Sequence, residues 1–255
     1  MNAGRSKVPE ATLAFWITKI LATTLGETGG DAVTMSMHAG YLAGIAIFGV
    51  LFLLAVAAQM KAREFHPVPY WMAMVGATTV GTTLADFADR SLGIGYPGGA
   101  ALLLALLFAA FFAWYRATGS LEPGSVSSTK SEFFYWVTIM CSQTLGTALG
   151  DWSADSLGLG YAGGAMLFGT LLLAVWLLHR FTRASATALF WAAFVLTRPL
   201  GAVLGDLLDK PVDAGGLALS RYAASLALFA AVAAMVLLVP QRPARAAPFE
   251  PRAAG

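Results

Sequence analysis

Residues 16–31 read Trp16-Ile17-Thr18-Lys19-Ile20-Leu21-Ala22-Thr23-Thr24-Leu25-Gly26-Glu27-Thr28-Gly29-Gly30-Asp31. Reduced to a Trp, a Gly ten residues on and an Asp fifteen on, with a further Gly at twenty-four (Gly40), this skeleton returns three more times. It recurs as Trp71, Gly81, Asp86 and Gly95; as Trp136, Gly146, Asp151 and Gly160; and as Trp191, Gly201, Asp206 and Gly215. An internal repeat governs the architecture, because each copy is one structural unit that stacks on its neighbours. Trp-to-Trp spacings of 55, 65 and 55 place one longer linker between two halves of two repeats each.

The solvent for these units is lipid. Of 255 residues, 58% are hydrophobic and only 12% charged, with a mean hydropathy of +0.69, whereas soluble domains carry roughly 25% charged residues. Each repeat holds two apolar stretches long enough to cross a bilayer core, which takes about 20 helical residues. Spans are expected near 12–33, 40–59, 69–89, 98–116, 133–153, 163–180, 188–208 and 219–239. The runs are rich in Ala and Leu and lack period-2 alternation, which argues against strands. The predicted fold class is all-α integral membrane: eight transmembrane helices from four parallel two-helix repeats, odd helices inner and even helices outer. Two spans per repeat give every repeat the same orientation, related by an axis along the membrane normal. The divisions are a cytoplasmic N-terminus (1–11), repeats at 12–66 and 67–120, a linker at 121–132, repeats at 133–186 and 187–240, and a tail at 241–255. The tail, rich in Pro, Ala and Arg, is expected to be disordered.

Charge is distributed unevenly. Arg5, Lys7, Lys61, Arg63, Arg116, Lys130, Arg180, Arg183, Arg242, Arg245 and Arg252 fall on one side of the expected membrane; Arg90, Lys210 and Arg221 fall on the other. Positive-inside bias puts both termini in the cytoplasm. No basic cluster is dense enough for nucleic acid. The first apolar segment carries Glu27 and Asp31 and belongs to the repeat, so it is expected to be retained rather than cleaved. A single Cys141 rules out an intramolecular disulfide and Cys-based metal sites.

The segments Lys7-Val8-Pro9-Glu10-Ala11-Thr12-Leu13-Ala14-Phe15-Trp16-Ile17-Thr18-Lys19 and Thr23–Asp31, set in a four-fold Trp-x9-Gly-x4-Asp pattern, carry a family likeness. The chain resembles, over residues 7 to about 240, the bacterial multi-pass membrane proteins built from four tandem two-helix repeats of unknown function, described as uncharacterised membrane-anchored proteins. The resemblance implies the fold and a place in the bacterial inner (cytoplasmic) membrane. It carries no activity.

Positions three, seven, eleven and fifteen after each Trp share one helix face, drifting about 40° per step. They hold Lys19, Thr23, Glu27 and Asp31 in repeat one and Met74, Thr78, Thr82 and Asp86 in repeat two. Repeat three has Ile139, Gln143, Thr147 and Asp151; repeat four has Phe194, Arg198, Ala202 and Asp206. Position eight adds Thr24, Thr79 and Thr144, with Pro199 in repeat four. Lipid cannot satisfy such a stripe, so it must face protein or water. Small-xxx-small pairs at positions ten and fourteen (Gly26/Gly30, Gly81/Ala85, Gly146/Gly150, Gly201/Gly205) allow close helix crossing.

Intramembrane charge costs about 2.5–3.5 kcal/mol per residue even on the lenient insertion scale, so its retention points to use. The expected function is transport of a cation, either a hard divalent metal such as Mn²⁺ or a proton-coupled process, through an acidic polar core. The candidate ion-binding residues are Glu27, Asp31, Asp86, Asp151, Asp206, Arg198, Lys19, Thr23, Thr24, Thr78, Thr79, Gln143 and Thr144, with Glu27 and Asp31 as metal ligands. Repeats one and four should meet, joining Glu27, Asp31 and Arg198 in one site with Lys19 on its cytoplasmic side. No resident cofactor is expected, the partners being the bilayer and an inorganic cation; a homo-oligomer is compatible with this reading. The competing reading is a non-transporting scaffold or partner-binding protein whose intramembrane charges are structural salt bridges. No Gly-rich phosphate loop, nucleophile–His–Asp set or metalloprotease motif is present, so an enzyme is not expected. A reporter fused after Gly255 should signal from the cytoplasm; a periplasmic signal would refute the topology.

Overall fold

The computed structural model describes residues 6–245. Eight long helices run α1 (Leu13–Asp31), α2 (Gly40–Lys61), α3 (Pro67–Asp86), α4 (Tyr96–Thr118), α5 (Thr129–Asp151), α6 (Gly160–Phe181), α7 (Ala186–Asp209) and α8 (Arg221–Leu238). Among the described residues there is no strand, only an isolated bridge between Pro9 and Pro243. Local chemistry sets the starts. Thr12 caps α1, Pro67 opens α3, Ser128 and Ser131 form a capping box on α5, and Ser185 caps α7, each satisfying or dispensing with an orphan N–H. The first turn of α5 lies inside the expected 121–132 linker.

In repeats one to three the backbone loosens into a π-turn directly after the repeat Asp, at Ala32–Ser36, Phe87–Ser91 and Trp152–Ser156. Repeat four has no such turn in its first helix; α7 continues to Asp209. The last skeleton glycine explains itself here: Gly40, Gly95, Gly160 and Gly215 all take positive φ (78°, 74°, 65° and 87°), a region costly for residues with a Cβ.

The first helices of the repeats close a ring, α1 against α3, α3 against α5, α5 against α7 and α7 against α1. The second helix of each repeat docks mainly on the first helix of the next, α2 on α3, α4 on α5, α6 on α7 and α8 back on α1. One contact recurs at all four joints. A Cβ on Gly26 would strike Thr78, one on Gly81 would strike Gln143, one on Gly146 would strike Arg198, and one on Gly201 would strike Thr23. Position ten of each repeat thus receives position seven of the next, and the series returns to its start.

Most buried residues lie on α1, α3, α5 and α7, whereas α2, α4, α6 and α8 bury few. Five helices (α2, α4, α6, α7 and α8) are long and apolar enough to cross a membrane, which marks a membrane protein. The stripe of Thr, Gln and acid on α1, α3 and α5 keeps those three out of that class.

At the end opposite the aspartates, Phe15, Tyr70, Tyr135 and Phe190, each one residue before its repeat Trp, interleave with the tryptophans. Tyr70 and Tyr135 share a 2.6 Å hydroxyl hydrogen bond, and Trp71, Trp136 and Trp191 are buried in this layer. The start of the tail departs from the expected disorder: Glu10 N–H donates to Arg242 O, Ala244 N–H to Val8 O, and Trp71 Nε1 to Gln241 Oε1. Pairing to the N-terminal segment offsets the entropy that its composition would otherwise release. The remainder of the tail, 246–255, lies outside the described residues.

The glycine joint is directly testable. Gly26→Ala and Gly201→Ala should each destabilise the detergent-solubilised protein by about 1–3 kcal/mol through overpacking. Gly29→Ala, on the same helix with open space before it, should be neutral or stabilising by up to about 1 kcal/mol from helix propensity. Equal melting shifts in all three would refute the close-packed joint.

Candidate functional site

The polar stripes of the four first helices converge along the ring axis. In the middle lies Arg198, fully buried. Its Nη2 has three acceptors in range of its two N–H groups, Glu27 Oε2 (2.9 Å), Thr82 Oγ1 (2.6 Å) and Thr147 Oγ1 (2.5 Å), and the Thr82 hydroxyl lies 3.2 Å from the same Glu27 oxygen. Position seven of repeat four is therefore held by position eleven of the other three repeats. A guanidinium stays charged at physiological pH, so in a low-dielectric core it requires the carboxylate it has found. Among the described residues its Nε and Nη1 have no hydrogen-bond partner, nor does the stripe residue Gln143 at Oε1.

Lys19 lies to the side of this site, toward the aromatic end. Its ammonium donates to Phe194 O (3.0 Å) and Thr197 Oγ1 (2.7 Å) and sits 3.9 Å from the Phe194 ring centroid. No carboxylate pairs with it among the described residues; a carbonyl, a hydroxyl and a ring face supply its partners instead. Thr23 and Thr78 tie adjacent helices by donating to Thr197 O and Ala22 O in the ring. Thr24, Thr79 and Thr144 donate to Ile20 O, Val75 O and Met140 O of their own helices and reach no other stripe residue. Gln143 Nε2 lies against Met74 Sδ.

Away from the aromatic end, the acids gather. Glu27, Asp151 and Asp206 each offer an oxygen within 4.8 Å of the others, as do Asp31, Asp206 and Asp209. Asp31 does not meet Arg198. Lys210 Nζ takes it at 2.6 Å and also reaches Asp206 at 3.0 Å. Arg221 spans Asp209 (3.0 Å) and Asp31 (3.8 Å), and Arg90 spans Asp86 (3.4 Å) and Asp151 (3.7 Å). Burial works against the Lys210 charge, but Asp206 and then Asp31 outweigh it and raise its pKa well above the ordinary lysine value.

Sequence reasoning leaves out Thr82 and Thr147, the two hydroxyls that hold Arg198. Their position eleven, in register with Glu27, is the signal that finds them. It also leaves Arg90, Lys210 and Arg221 as turn charges. Arg90 and Lys210 each stand four residues after a repeat Asp, one helical turn on, and that spacing marks them as its partners.

With this geometry in place, the comparison with known families is decisive on kinship. A model of the Repeat of Unknown Function (DUF347) matches residues 14–65, 69–120, 134–185 and 189–239. The chain belongs to this family. No curated protein and no solved structure matches it. The four DUF347 matches each contain one full skeleton, the repeat Trp with its Gly and its Asp, so the family unit and the joint-forming unit coincide.

Removing half of the central pair should expose its cost. Glu27→Gln strands a buried guanidinium and should lower stability by about 3–5 kcal/mol. Replacing both Glu27 and Arg198 with neutral residues should recover most of that loss in a thermal unfolding assay. A double variant as unstable as Glu27→Gln would show that the ion pair is not the source of the defect.

Proposed function

We propose that all eight helices cross the membrane, with α1, α3, α5 and α7 as the inner bundle and α2, α4, α6 and α8 as its lipid-facing ring, and that the acidic axis transports cations. The observation that carries this reading is the convergence of Glu27, Asp31, Asp151, Asp206 and Asp209, with oxygens close enough in threes to share one ion. Together with Asp86 they make six carboxylates against four cationic partners, Arg198, Arg90, Lys210 and Arg221. Oxygen donors alone suit hard ions such as Mn²⁺ or Mg²⁺ and proton transfer. Shielding by the even helices would let α1, α3 and α5 reside in a bilayer despite their polarity.

A specific observation also favours the scaffold reading: the glycine joints seal the helices at the level of Thr23, Thr78, Gln143 and Arg198. A sealed layer is equally the occluded state of a transporter, in which binding residues close around the axis. The two readings separate in proteoliposomes scanned for Mn²⁺, Mg²⁺ and H⁺ movement. Transport predicts flux in the native protein and a loss of at least about tenfold, a barrier change of about 1.4 kcal/mol, in Glu27→Gln and Asp206→Asn. The double neutral replacement of Glu27 and Arg198 should fold yet remain inactive. Normal flux in that double variant would make the pair a structural staple, and no flux for any ion would favour the scaffold.

A further inference from the structure

Lys210 and Arg90 occupy the same position in their repeats, nineteen residues after the Trp; repeats one and three have Met35 and Asp155 there. Each cation bridges its own repeat Asp and the Asp of the next repeat, Arg90 joining Asp86 to Asp151 and Lys210 joining Asp206 to Asp31. The helical frame is four-fold, but this charge pattern is two-fold, with one clamp on each opposite joint of the ring. The two clamps differ in kind. Arg90 makes looser pairs and is 34% exposed, whereas Lys210 is drawn in tightly and is 13% exposed.

The Lys210 clamp has a third carboxylate, Asp209, within reach of both its aspartates. Asp209 Oδ2 is held by Arg221 Nε at 3.0 Å, while Asp209 Oδ1 and Asp31 Oδ1 are buried with no hydrogen-bond partner among the described residues. Asp31 is 1% exposed, and the oxygens of Asp31, Asp206 and Asp209 lie within 4.8 Å of one another.

We propose that Asp31, Asp206 and Asp209 form a binding site for a hard divalent cation, and that Lys210 is a tethered competitor that must leave the site for the ion to enter. The proposal rests on the cation-transport reading for its physiological use. Charge selects the valence. Glu27 and Asp151 also approach Asp206 but are paired with Arg198 and Arg90. With the Lys210 side chain withdrawn, the three carboxylates and the Arg221 guanidinium therefore leave two negative charges, which a divalent ion neutralises and a monovalent ion does not. Donor chemistry selects the class, since the cluster offers carboxylate oxygen and neither imidazole nor thiolate. Lysine suits the competitor role: its compact ammonium rides on a flexible four-carbon stem, and Lys210 is the first residue beyond α7. Displacement requires no loss of the lysine proton, only movement of the charged head toward the side on which it is already partly exposed.

The test is Mn²⁺ binding to the full-length protein in detergent, read by loss of the free Mn²⁺ electron paramagnetic resonance signal. Lys210→Met should bind Mn²⁺ at least about tenfold tighter than the native protein, and adding Asp31→Asn should abolish that gain. Lys210→Arg, which keeps the charge, should bind no tighter than native. If Lys210→Met fails to fold, Lys210→Gln, which retains a donor between Asp31 and Asp206, is read in the same way. Unchanged affinity on removing the ammonium, a gain that survives Asp31→Asn, or tightening in Lys210→Arg would each overturn the proposal. Because these are equilibrium measurements without a membrane, their failure leaves a positive flux result standing. Tighter binding without flux in any ion would instead sink the transport reading alone.

Discussion

Everything in this molecule depends on four places where a Cβ does not fit. Gly26, Gly81, Gly146 and Gly201 each lie against position seven of the next repeat, so the helix axes approach until side chain meets backbone. In lipid there is no hydrophobic force between helices; packing and interhelical hydrogen bonds must hold them. The glycine joints supply the packing, and Thr78 to Ala22 O and Thr23 to Thr197 O supply two of the bonds. Because the second helix of each repeat docks on the following repeat, no two-helix unit is a self-contained hairpin. The unit of stability is the closed ring.

A ring of equal parts then carries unequal chemistry at three levels of symmetry. The aspartates at position fifteen are four-fold, the bridging cations Arg90 and Lys210 are two-fold, and the Glu27–Arg198 pair occurs once. Position seven shows how far divergence can go at fixed geometry: Thr, Thr, Gln and Arg all lie against a glycine of the preceding repeat. Arginine there is tolerated only because position eleven has become Glu, Thr and Thr on the three other helices, which meets part of its demand for acceptors. The substitution at one repeat is thus written across all four.

The frame was legible because it rests on residue types with a single geometric use. Glycine at position ten marks close approach, glycine at position twenty-four marks positive φ, and both survive in every copy. The meeting of repeats one and four was legible from charge, since Arg198 had one carboxylate at its depth. What escaped was decided by rotamers and by bonds within a helix. Thr24 and Thr82 look alike in sequence, yet Thr24 bonds back to Ile20 O while Thr82 turns to Glu27 and Arg198. Lys19 shares the stripe with Glu27 but finds its partners on α7 in the other direction. The aromatic residue preceding each Trp was a four-fold signal as regular as the skeleton itself, hidden because it is Phe in repeats one and four and Tyr in repeats two and three. Gln241–Arg245 has the composition of a disordered tail, and its order comes from a distant strand-like pairing with Val8–Glu10 that composition does not record.

The interlocked ring also limits how the axis could open. Moving α1 disturbs α3 and α7 through glycine contacts and α8 through its docked face, so one repeat cannot swing alone at low cost. Three of the four first helices depart from α geometry at the π-turns directly after their Asp. A π-turn has one residue more than the helix needs and can pass it along the ladder without breaking every bond. Repeat four lacks this turn after Asp206 and instead carries Asp209 and Lys210 at the end of a continuous helix. The continuous α7 anchors the Lys210 backbone, so its ammonium can move only on its own stem, while Asp31 stands where α1 gives way to the π-turn.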